Sequence, residues 1–182
     1  MLCRIRRFVF LKNIKKLVFA ALMTALCVII GWFCKTYFTF GAIRITFENV
    51  PILLAGMLLG PAFGAAVGVA SDIVSCMLSG FGVNPIITLG SASVGVISGL
   101  LHIYIIKRKG FLPTALSVLT AHAVGSMLIK SVGLYFYGYA LPILLTRVPL
   151  YLGIGLAESY LIWLLLKNKR ISSAFERNGV RK

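Results

Sequence analysis

An all-α, polytopic membrane protein of six transmembrane helices is the fold class this sequence predicts, and three observations predict it. The 182 residues are 59% hydrophobic, and their mean hydropathy is +0.97. Only 13% of them are charged, about half the share of a typical soluble domain. The apolar residues run in continuous segments near the roughly 20 residues that a helix needs to cross a bilayer. A β-barrel would alternate polar and apolar residues instead.

The elements follow in order. Six cations precede Leu17 (Arg4, Arg6, Arg7, Lys12, Lys15 and Lys16), and a first span is expected over 17–34. A basic start of this kind also opens signal peptides, but the apolar run is long for one and the rest of the chain is equally apolar. The polar-aromatic connection KTYFTFGAIRIT occupies 35–46. A short second span is expected over 47–59, ended by the turn Gly60-Pro61, and a third over 62–78. After SGFGVN come a fourth span over 85–106, closed by Lys107-Arg108-Lys109-Gly110, and a fifth over 111–137. A sixth over 143–166 leads to a basic tail. The six spans use the whole chain as one membrane domain, 1–182.

Charge sets the orientation. Fifteen of the nineteen Lys and Arg fall in the two termini and the 107–109 loop, whereas the opposite connections hold only Lys35 and Arg44. Cations concentrate on the cytoplasmic side, so both termini are expected inside. The same clustering removes the nucleic-acid reading that a net charge of +15 first suggests. Four cysteines without CxxC or metal-ligand spacing read as packing residues, and no metal is expected.

Polar residues inside spans cost several kcal/mol and face a bundle interior, a cavity or a ligand. Glu48, Asp72, His122, Lys130, Arg147 and Glu158 are those candidates. Their neighbours repeat at helical spacing: Asn84, Thr88, Ser91, Gly95, Ser98 and His102; His122, Ser126 and Lys130; Arg147, Tyr151 and Glu158; Gly64, Gly68, Asp72 and Cys76. The glycine positions read as packing seams. Lys130 and Arg147 fall in the outer half of their spans beneath Arg44, which suits either an outward-facing anion pocket or ion pairs with Asp72 or Glu158. His122 and Glu158 each read as packed, hydrogen-bonded residues, with a ligand contact as the alternative. Aromatic residues, among them Tyr37, Phe38, Phe40, Tyr135, Phe136 and Tyr139, suit an interfacial belt or a stacking wall.

Residues 44–61 (RITFENVPILLAGMLLGP), 64–80 (GAAVGVASDIVSCMLSG) and 84–90 (NPIITLG) resemble the substrate-binding S components of energy-coupling factor vitamin transporters. Within that group they are most similar to the folate-specific subfamily, over roughly 17–168. The resemblance implies capture of folate from outside the bacterial plasma membrane. It also implies partnership with a transmembrane coupling subunit and two ATPase subunits. The family's Ala-x-x-x-Ala docking motif is matched by Ala21 and Ala25 on the first span. The chain has no GxxxxGK[ST] loop, so any ATP is expected to be used by the partners, and no cofactor is expected.

Folate carries a flat pterin and a glutamate tail. Asp72, with Asn84 and Thr88 beside it, is the expected acceptor for the pterin's donor pair. Arg44, Lys130 or Arg147 would take the tail carboxylates, and outer aromatics such as Tyr135 would cover the linker. Connections 35–46 and 79–84, with Gly41, Gly80 and Gly82, are expected to close over ligand. Riboflavin, pantothenate or a queuosine precursor is the alternative cargo. An intramembrane enzyme is a rival class, but neither HExxH nor GxSxG occurs and no catalytic residue is expected.

Overall fold

The computed structural model describes residues 2–40, 43–80, 82–105, 110–136 and 138–168. Six helices make up the bundle. They are α1 (Leu2–Tyr37), α2 (Asn49–Leu59), α3 (Pro61–Ser79), α4 (Pro85–Leu100, continued by a π turn Leu101–Ile105), α5 (Phe111–Phe136) and α6 (Leu141–Lys167). Two-residue strands β1 (Thr39–Phe40) and β2 (Ile43–Arg44) pair antiparallel in the first connection, with Thr39 opposite Arg44.

Among the described residues, five helices are long and apolar enough to span a membrane. The second is not. Its 11 residues rise about 16 Å, roughly half of the hydrocarbon thickness. Nine of those residues are buried. It is therefore a core element packed against α1, α3 and α4. Its short length is a consequence of Gly60, whose φ of 106° suits glycine, and of Pro61, which starts α3 at once.

The expected boundaries shift in physically sensible ways. The first helix begins at Leu2, because the basic residues ahead of the apolar run continue the same helix. The fourth remains helical to Ile105; Ile106 and the 107–109 cluster lie outside the described residues. The basic tail beyond Asn168 and residues Gly41, Ala42, Phe81 and Tyr137 lie outside them as well. Within α5 the middle stretch His122–Ile129 is π-helical.

Small residues bring α2, α3 and α4 into backbone contact. A methyl group placed on Gly64 would stand 2.6 Å from the Gly95 carbonyl oxygen, and one on Gly99 would stand 2.6 Å from the Gly56 carbonyl oxygen. Gly68 faces the Ser91 carbonyl just as closely. These glycines form the packing seam that their four-residue spacing suggests, and no larger residue fits there. Ser98 lies in the same seam and donates to the Gly95 carbonyl at 3.1 Å. Large apolar side chains such as Leu22, Leu26 and Ile29 of α1 and Leu152 and Leu156 of α6 are exposed. Such a surface is suited to lipid.

Candidate functional site

The site is built where α4 packs against α3 on one side and α5 on the other. The α4 helix starts at Asn84, whose side-chain oxygen accepts from the Ile86 N–H at 2.9 Å in an N-cap. The Asn84 amide nitrogen donates to the Gly133 carbonyl of α5 at 3.4 Å. Asn84 thus ties α4 to α5, and both ends of its amide are engaged with backbone.

One turn further along α4, the Thr88 hydroxyl lies 2.6 Å from Asp72 Oδ2 of α3 and 3.1 Å from the Asn84 carbonyl. Asp72 is half-buried, so its carboxylate keeps acceptor capacity beyond this one bond. Lys130 of α5 packs its stem against Gly90 of α4, where only a hydrogen leaves room for it. The lysine is 7% exposed and makes no hydrogen bond among the described residues. Glu48, Asp72 and Lys130 all lie within electrostatic reach of Cys27 on α1, and Lys130 and Glu48 lie within reach of Glu158 on α6. Glu48 at the N-cap of α2 and Asp72, Lys130 and Glu158 on three other helices therefore face one interior.

A second polar network joins α5 to α6. His122 Nε2 lies 2.6 Å from Glu158 Oε2, and His122 Nδ1 lies 3.1 Å from the Ser126 hydroxyl. Tyr151 sits against the His122 ring with centroids 5.7 Å apart. The Arg147 guanidinium donates through Nη2 to the Tyr151 hydroxyl at 3.1 Å and covers its ring at 5.2 Å. Arg147 Nη1 and Glu158 Oε1 are buried and have no partner among the described residues.

The other candidate residues sit on α1, on β2 and near the end of α5. Tyr135 is exposed, edge-on to Phe136 at 6.2 Å, and stands away from this interior. Arg44 is placed in β2 by its backbone, and its side chain lies outside the described residues. Ala21 and Ala25 both lie on the exposed face of α1, opposite the buried Ala20, Met23 and Cys27.

Two residues were missed by sequence reasoning. Thr46 and Asn49 are each 1% exposed, and the Thr46 hydroxyl and both ends of the Asn49 amide lack a partner among the described residues. The available signal was three polar residues in four, Thr46, Glu48 and Asn49, at the head of an apolar helix.

The sequence model of the ECF transporter, substrate-specific component, family matches residues 15–169. No curated protein sequence matches the chain. Among solved structures, the crystal structure of FolT bound with folic acid is similar, with a TM-score of 0.67 and 19% identity. The match covers 83% of this chain and 92% of that one. It establishes the shared fold.

Proposed function

We propose that this chain, which belongs to the family of substrate-specific components of ECF transporters, captures folate as the substrate-binding subunit of its transporter. The observation that carries the reading is the polar interior itself. A carboxylate held by a hydroxyl (Asp72 and Thr88) and a buried lysine whose side chain makes no hydrogen bond among the described residues (Lys130) occupy neighbouring helices. Folate presents both complements, a donor edge on the pterin and carboxylates on the tail. The folic acid bound to FolT, a structure of the same fold, supports this cargo over another vitamin.

In this reading Asp72 accepts from the pterin edge, and Thr88 orients it. Lys130 and Arg147, with Arg44 from the first connection, attract the tail. Asn84 sets the spacing between α4 and α5. Tyr135, on the exposed side, takes the linker only if the ligand extends beyond the bundle. Both termini face the cytoplasm of a bacterial cell, as the concentration of cations there favours. The site then opens outward, and the connections 35–46 and 79–84 cover it. Gly80, with φ of 69°, ends α3 at the second of these.

The chain binds and reorients but does no chemistry of its own. The exposed Ala21 and Ala25 face of α1 docks on a transmembrane coupling subunit, and two ATPase subunits supply the energy. Equilibrium binding of folate to the purified chain, without ATP or partners, tests this function.

A further inference from the structure

The head of α2 holds the largest unexplained polar debt of the interior. Asn49 has a donor and an acceptor buried with no partner among the described residues, and Thr46, three residues before it, has a buried hydroxyl in the same condition. Buried polar groups are almost always paired, and leaving one unpaired costs about 1–3 kcal/mol. Retaining three such atoms on one short segment calls for an occupant.

Register places them at the site. Gly56 of α2 meets Gly95, Ser98 and Gly99 of α4. Connected through α3 by two tight turns, α2 and α4 run in the same direction. Asn49 is seven residues before Gly56, two helical turns, on the same face as Leu53. The corresponding level of α4 is that of Thr88 to Ser91. That level also holds Asp72, through Thr88, and Lys130, through Gly90. The segment is held rigidly, since the Cys27 thiol donates to the Glu48 carbonyl at 2.8 Å. Lengthwise motion would also break the Gly56 seam.

We propose that Asn49 and Thr46 form a second recognition edge of the binding site, one that reads a planar nitrogen heterocycle through adjacent donor and acceptor atoms. The inference rests on the function proposed above and names residues it does not use. A primary amide offers an N–H and a carbonyl side by side, the complement of a lactam or aminopyrimidine edge. The Thr46 hydroxyl adds either a donor or an acceptor. Asp72 reads one edge of the ring, and the α2 head reads another.

The physical signature is an inverted effect on stability. Leucine has the same number and branching of side-chain heavy atoms as asparagine and removes both orphan groups. In the unliganded protein Asn49→Leu should therefore keep or raise the melting temperature, as Thr46→Val should. In the same protein, binding of folate and of pteroate, measured by titration calorimetry in detergent, should weaken about ten- to a hundredfold. Unchanged folate and pteroate binding in Asn49→Leu would overturn the proposal. So would a clear fall in the unliganded melting temperature, which would make Asn49 a structural residue. If the unsubstituted chain binds riboflavin and not folate, the folate reading fails. Loss of riboflavin binding in Asn49→Leu would then still support the recognition edge, and its retention would overturn it.

Discussion

His122 Nε2 and Glu158 Oε2 stand 2.6 Å apart with both side chains fully buried, and they tie the π-helical stretch of α5 to α6. The remaining nitrogen of the imidazole is satisfied by Ser126 within its own helix. This bond is the strongest polar link between the two helices among the described residues. It also locates Tyr151 and, through Tyr151, Arg147. The geometry makes His122 and Glu158 positioning residues of the bundle.

Removing either partner strands the other in a dry interior. His122→Ala and Glu158→Ala should each destabilise the detergent-solubilised protein by about 3–5 kcal/mol. The double variant should lose less than the two separate losses together, with a coupling above about 1 kcal/mol. Thermal unfolding of the four proteins measures this, and simple additivity would deny the link.

The glycine seam gives a sharp contrast. Gly95→Ala and Gly64→Ala should prevent α3 and α4 from closing, because the added methyl group of each meets the other's backbone. Gly153→Ala on α6 meets nothing within 4 Å and should be neutral or stabilising by about 0.5–1 kcal/mol. Yield of monodisperse protein and melting temperature distinguish the two classes.

Much of this arrangement is legible in the sequence, and the limits are physical. The four-residue spacing of Gly64 and Gly68 shows a seam because helix periodicity alone puts them on one face. The charged residues reveal an interior because burying them in lipid is costly. The similar depth of His122 and Glu158 allows a pairing, but only the packing of α5 on α6 brings the two side chains to 2.6 Å. The burial of α2 is not legible, since an apolar 13-residue run suits either lipid or a core, and only tertiary packing decides. Nor are the π stretches, as no residue type marks the change from an i→i−4 to an i→i−5 bond. The engagement of Asn84 in a cap and an inter-helix bond, and the isolation of Asn49, both depend on which backbone atoms happen to come near. Sequence pattern does not carry that information. Tyr135 shows the converse, since an aromatic residue near a span's end reads alike whether it lines a site or faces outward.

The assignment of ligand parts separates two sets of residues. Arg147→Ala and Lys130→Ala should weaken folate about tenfold or more while affecting pteroate, which lacks the glutamate tail, much less. Asp72→Asn should weaken both ligands alike. Competition binding with the two ligands reads this directly. Equal losses in the Arg147 and Lys130 variants would remove their role at the tail.

The docking face predicts a split between binding and transport. Ala21→Leu and Ala25→Leu enlarge exposed positions of α1 and should leave ligand affinity and melting temperature unchanged. In proteoliposomes with the coupling and ATPase subunits, uptake should fall severely, because bulky residues keep helix backbones apart. Normal uptake by both variants would place the docking face elsewhere.

The most direct test of the whole account is calorimetric titration of folate into the purified chain, without partners or nucleotide. The account predicts saturable one-to-one binding in about the nanomolar range. Failure of folate, 5-formyl-tetrahydrofolate and pteroate to bind, with riboflavin binding instead, would contradict it.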